Sequence, residues 1–165
     1  MLKVVQDIPA PVAAVEASHL SSHRAVYFNY PEFADQCHIT IGISSDFIDF
    51  SVMKDQTPVY YNWFNYEFPT EINHLCISEI QNITGNYYSD TSAVFLYGEG
   101  LTKQILDNLK SQLNGLGDST FRLNPFRMMS TQLSRRLQDY CIRTAHLYPP
   151  CIGGMLPINY KRFIV

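Results

Sequence analysis

At 165 residues, with 46% apolar and only 16% charged side chains, the chain is long enough to bury a core and too apolar to be disordered. No stretch approaches the roughly 20 apolar residues of a membrane span. Met1 to Ala14, interrupted by Lys3, Asp7, Pro9 and Pro11, does not read as a signal peptide, so a cytoplasmic protein without direct membrane insertion is expected.

Leu2–Gln6 reads as a short strand and residues 12–29 as a helix, with Val12, Val15, Leu20 and Val26 near helical spacing and Pro31 as its stop. Three alternating runs follow, 38–44, 47–53 and 58–66, joined by the short polar turns Ser44-Ser45-Asp46 and Lys54-Asp55-Gln56-Thr57. Such spacing predicts an antiparallel meander. The period then lengthens. A helix is predicted from Glu71 to Ile83, closed by Gly85 and Asn86. A strand over 91–97, the turn Gly98-Glu99-Gly100 and a helix over 101–113 come next. A short strand over 120–123 and a last helix over 129–147 complete the pattern, and Pro149-Pro150 and Gly153-Gly154 predict an irregular tail.

The expected fold is therefore α/β: a mixed sheet in the order β-α-βββ-α-β-α-β-α, with helices on both faces, the layout of a ribonuclease H-like core. With no linker or repeat in view, residues 1–165 are expected to form a single domain, 1–30 being a strand-helix lead-in and 148–165 the tail.

Cys37, Cys76, Cys141 and Cys151 have no paired spacing, which argues against a disulfide framework or a zinc site and for reduced thiols. His19 and His23 stand four apart on the first helix, a chelating separation, yet no third ligand accompanies them and a solvated helical face is the expectation. Ser21-Ser22-His23 offers a hydroxyl beside a base but no nucleophile elbow. A two-metal nuclease site is also short of ligands, since strand 38–44 offers His38 and Thr40 and strand 91–97 offers no acid.

The segment CHITIGISSDFIDFSVMKDQTPVYY resembles the second phosphate-loop hairpin of actin-like ATPases, and most closely that of the PilM-type proteins of type IV pilus assembly. VFLYGEGLTKQILDNLKSQL resembles their adenosine motif, Leu123-Asn124-Pro125-Phe126 a strand end of the same proteins, and LKVVQDIPAPVAAVEA the last strand and connecting helix of their first lobe. The resemblance runs over residues 2–155 and maps to the C-terminal half of a PilM-type protein. The first half, with its phosphate loop, and the small subdomain usually inserted after the hairpin have no counterpart in the sequence.

The resemblance implies an ATP cleft between two lobes and partners among inner-membrane pilus proteins. In such proteins an acidic residue precedes the glycine of the hairpin; here the run is Thr40-Ile41-Gly42, and Asp46 and Asp49 stand in a turn and in the next strand. Without that carboxylate the transition-state stabilisation of phosphoryl transfer is largely lost. The expectation is a chain with no catalytic and no metal-binding residues, not an enzyme. Gly42, Ser44, Ser45, Gly98 and Gly100 are left as vestigial nucleotide-binding positions, ATP and Mg²⁺ entering only in a larger assembly. The Gly98–Gly100 turn also reads as a plain strand-to-helix connection.

Two features suit contact surfaces. The run Tyr60 to Tyr66 is dense in aromatics, and on a strand Tyr61 and Trp63 share one face. The net charge of −3 is uneven: residues 120–165 hold seven of the 12 Lys and Arg but one of the 15 Asp and Glu, Asp139. A tail of that kind, with Arg135 and Arg136, can meet nucleic acid, an anionic lipid surface or an acidic partner. The reading that joins these features is a non-catalytic PilM-like scaffold in a type IV pilus or type II secretion-related complex. It would sit peripherally at the inner membrane through protein partners and could self-associate. The alternatives are an ATP-binding lobe completed by a separate first lobe, and a nucleic-acid-binding module using the basic tail; stacking of single strands on the aromatic run is disfavoured because that run lacks interleaved cations.

Overall fold

The computed structural model describes residues 17–156; the strand expected at 2–6, the start of the first helix and the end of the tail lie outside them. Helix α1 (Ser18–Asn29) ends where Tyr30 leaves the helical region, at φ −134° and ψ 62°, before Pro31, the residue before a proline being disfavoured in the helical region. A 3₁₀ turn (Pro31–Phe33) leads into β1 (His38–Ile43), β2 (Phe47–Lys54) and β3 (Thr57–Asn65). The β2–β3 loop has Asp55 and Gln56 at φ 50° and 60°, two consecutive left-handed residues whose twist matches that of the flanking strands. Helix α2 (Glu71–Asn86), β4 (Ala93–Tyr97), α3 (Lys103–Gln112), β5 (Thr120–Arg122), α4 (Arg135–Thr144), a 3₁₀ turn (Ala145–Leu147) and α5 (Pro149–Met155) follow.

The five strands form one sheet in the order β3-β2-β1-β4-β5. β1 runs antiparallel to β2 and parallel to β4, so α2 makes the crossover between β1–β3 and β4. Every residue of β1 is buried, and its alternation divides the molecule. Ile39, Ile41 and Ile43 pack with Ile48, Phe50 and Val52 under α2 and α3, where Ile72, Cys76, Ile80 and Ile83 recur at helical spacing. His38, Thr40 and Gly42 face the other way, toward α1 and its Val26, Tyr30 and Phe95 cluster.

Three expectations are corrected. α2 continues through Gly85 to Asn86: Gly85 does not take a positive φ, and the helix closes one residue later, where the Tyr87 N–H donates to the Ile83 carbonyl. The helix expected over 129–147 begins only at Arg135. The Thr131 hydroxyl accepts the Leu133 N–H at 3.1 Å and the Gln138 amide returns to the Leu133 carbonyl at 2.6 Å, local bonds that compete with helix. The tail is not irregular through 155. Pro149 and Pro150 open α5, and Gly153 lets it press on α1: a Cβ there would overlap the Ser21 carbonyl and come within 3.2 Å of the Ala25 nitrogen. Arg24 Nε donates to the Gly153 carbonyl at 2.9 Å across this contact.

Candidate functional site

The two regions that would face a nucleotide meet at the C-terminal ends of β1 and β4. Gly42 pairs across the β1–β2 ladder with Asp49, whose carboxylate fills the space a side chain at 42 would take. A Cβ there would overlap Asp49 Oδ2 and lie 2.8 Å from the Tyr97 hydroxyl. Tyr97 donates to Asp49 Oδ1 at 3.3 Å. Burial pushes the Asp49 carboxyl up to about 6, and the Tyr97 hydrogen bond offsets this only in part. Asp49, discounted in the sequence as a residue of the second strand, is thus the acid that touches Gly42. The signal was available, because counting back through the Ser44-Ser45-Asp46 turn fixes the register.

The glycines of the β4–α3 turn are explained by packing. Gly98 adopts φ +106°, and a Cβ on it would overlap the Ile43 carbonyl; one on Gly100 would lie 2.6 Å from Ile43 Cγ2 and 2.7 Å from the Ser44 carbonyl. Their N–H groups are engaged, Gly98 with the His146 carbonyl at 2.8 Å and Gly100 with the Ile43 carbonyl at 2.9 Å. Ser44 N–H closes the hairpin on the Phe47 carbonyl at 2.9 Å, and Ser45 stands exposed beside Asp46. The structure therefore brings Gly42, Ser44, Gly98 and Gly100 together, with the N–H groups of Ser44, Gly98 and Gly100 already donating within the protein.

Beside this turn lies a cleft of about 490 Å³, lined by Tyr66, Ile72, Asn73, Glu99, Gly100 and Ile105. It opens between the starts of α2 and α3, a size and placement suited to a small ligand. The start of α3 is capped, Thr102 Oγ1 accepting the Ile105 N–H at 3.2 Å, while ahead of α2 the Glu71 carboxylate accepts the N–H groups of Glu67 and Phe68 at 2.9 and 3.1 Å and so fixes the segment that enters the helix. Those two bonds hold the Glu71 carboxyl below its usual range.

Thr40 is fully buried in a chain of side-chain hydrogen bonds. His38 Nδ1 lies 3.1 Å from the Gln36 carbonyl, which can only accept, so His38 Nε2 carries a lone pair. His23 Nδ1–H donates to it at 3.1 Å, which leaves His23 Nε2 to accept the Ser51 hydroxyl at 2.6 Å, and Thr40 Oγ1 lies 3.0 Å from Ser51 Oγ. Burial pushes His38 down to about 4 and His23 well below its ordinary value, so both imidazoles are neutral. The Ser51–His23–His38 connectivity is that of a nucleophile, base and orienting group. All three are buried, Ser51 to 1% exposure, which leaves a substrate no approach. His23 is not on the solvated face expected of it, and its serine is Ser51, 28 residues away, rather than its neighbours Ser21 and Ser22. Among the described residues no group of three or more His, Cys, Asp or Glu side chains could hold a metal.

The two expected contact regions are both at the surface. On edge strand β3, Tyr61 and Trp63 are 51% and 54% exposed, while Tyr60 and Phe64 on the alternate face pack against the core. His19 stacks on Tyr61 with ring centroids 4.3 Å apart. Arg135 and Arg136 lie exposed at the start of α4, on the far side of the sheet order from β3.

No family model matches the sequence, and no curated protein matches it. Among solved structures, a chain of a PilM–PilN type IV pilus biogenesis complex matches at a TM-score of 0.58 and 12% identity, over 88% of this chain and 54% of that one. The chain thus spans about half the length of this structural neighbour. At 12% identity the likeness lies in the fold: the five-stranded mixed sheet and its two helical layers resemble the fold of that chain.

Proposed function

We propose that this chain is a non-catalytic, PilM-like scaffold domain that takes part in assembling a type IV pilus or related secretion complex through protein contacts. The observation that carries the non-catalytic part is Thr40. The hydroxyl at the position of the family's acid is buried and bonded to Ser51, so no carboxylate reaches the end of β1 from that position. Of the two acids of the β1–β2 hairpin, Asp49 is 7% exposed and bonded to Tyr97, and Asp46 stands in the exposed turn beside Ser45. The fold shared with a chain of a PilM–PilN complex supports the pilus context, and the exposed β3 aromatics supply a surface of the composition that protein interfaces favour.

The test has two arms. Isothermal calorimetry of the chain with ATP and Mg²⁺ is expected to show no binding in the micromolar range, and capture by inner-membrane pilus proteins is expected to weaken when Trp63 and Tyr61 are both replaced by Ser. Micromolar ATP binding would overturn the scaffold reading in favour of a second one, a nucleotide-binding lobe completed by another lobe. The cleft of about 490 Å³ beside Gly100 is the observation that favours that alternative.

A further inference from the structure

Helix α4 has ten residues, none of them buried. An isolated helix of that length is marginal in water, and helices in proteins are normally secured by burying one face. α4 is fastened mainly at its C-terminal end, through the 3₁₀ turn that follows and through Arg122, whose guanidinium lies 3.4 and 3.5 Å from the carbonyls of Ile142 and Arg143. Its sides are unlike. At 100° per residue Leu137 and Tyr140 project within about 60° of each other, and Leu133 stands just ahead of the helix; these side chains are 51%, 55% and 45% exposed. Arg136 and Arg143 flank Tyr140 at about 40° and 60°, whereas Arg135 lies opposite the pair beside Ile142, itself 52% exposed, and Asp139 is the only acid of the helix.

We propose that α4 adsorbs in the plane of an anionic phospholipid surface, Leu137 and Tyr140 entering the headgroup region and the arginines pairing with lipid phosphates. The charge settles the choice of occupant. Within α4 three arginines stand against one acid, so the helix repels a basic surface and attracts an anionic one. The side-chain types fit a bilayer boundary: an amphipathic tyrosine, aliphatic leucines, and arginines whose long stems cover apolar surface while their heads stay in water. No described helix is long and apolar enough to cross a membrane, so the contact is adsorption. The inference rests on α4 alone and is independent of the pilus reading.

Co-sedimentation of the full chain with vesicles of phosphatidylcholine, with or without phosphatidylglycerol, tests it. Binding is expected only to the anionic vesicles and is expected to weaken as salt rises. R135E/R136E and, separately, L137S should each weaken it about tenfold or more with the melting temperature unchanged, since all three side chains are exposed. Failure to bind anionic vesicles would overturn the proposal and leave α4 to an acidic protein partner. Binding that survives both variants would overturn it too, by placing the contact elsewhere. Binding lost in R135E/R136E but kept in L137S would reduce it to surface electrostatics without insertion, and would overturn it as stated.

Discussion

Asp49 occupies the side-chain space of Gly42. The two residues are cross-strand partners, and the carboxylate of one lies where the Cβ of the other would be. Gly42→Ala should therefore lower stability by about 1–3 kcal/mol, since overpacking a buried site displaces neighbours that have nowhere to go. Much of that loss should return in Gly42→Ala/Asp49→Ala, because the second change removes the atom in conflict. Thermal melting of the four proteins of this cycle gives the coupling. Equal melting temperatures for the native chain and Gly42→Ala would show that Asp49 does not hold this position.

Asp49 also imposes a cost at neutral pH. Its folded pKa of about 6 lies above the ordinary 3.8, so the native state holds the proton more tightly. Stability from this group is present below pH 4 and is lost as pH rises through 6. Asp49→Asn keeps an acceptor for Tyr97 and removes the buried charge. It is expected to raise stability at pH 7 by on the order of 1–3 kcal/mol, read by urea denaturation. A destabilised Asn variant would point to a carboxylate with a partner of its own.

The histidine pair acts with the opposite sign. An unfolded histidine titrates near 6.5 and His38 in the folded chain near 4, so the unfolded state binds more protons between these values. Stability should be full above pH 6.5 and fall toward pH 4, by on the order of 3 kcal/mol for His38, with His23 adding to the fall. The Asp49 contribution opposes it in the same window, so Asp49→Asn should steepen the acid limb. Melting temperatures across pH 4 to 7 check this, and a flat profile in both proteins would mean the imidazoles are not buried neutral.

Gly153→Val should detach α5 from α1. Its Cβ would overlap the Ser21 carbonyl, and the Arg24 bond to the residue 153 carbonyl cannot survive the separation. Faster hydrogen exchange and proteolysis are expected for residues 149–155, while the β1–β2–β4 core keeps its protection. Uniform loss of protection across the sheet would make α5 part of the cooperative core.

The central hairpin was legible because its turns are short and polar and its apolar residues alternate. Ile39, Ile41 and Ile43 announce a core face in any register. α2 was legible from Ile72, Cys76 and Ile80, but not its end, since Gly85 looks like a stop and here lies inside the helix. The polar half of β1 was hidden for a different reason. His38, Thr40 and Gly42 acquire their meaning from His23, Ser51 and Asp49, which reach them through helix packing and strand register, and neither is a local property of the sequence. α5 was missed because Pro-Pro and Gly-Gly are chain breakers in isolation, whereas here the prolines start a helix and a glycine seats it on α1.

Trp63 is the chain's one tryptophan, and it stands half in water on the outer strand. The molecule therefore carries its own optical probe at one contact region and none at the other. A partner that covers β3 would shift the emission toward the blue, while adsorption through α4 would leave it unmoved. A single fluorescence titration can thus report which end of the sheet is engaged, without a label that would alter either surface.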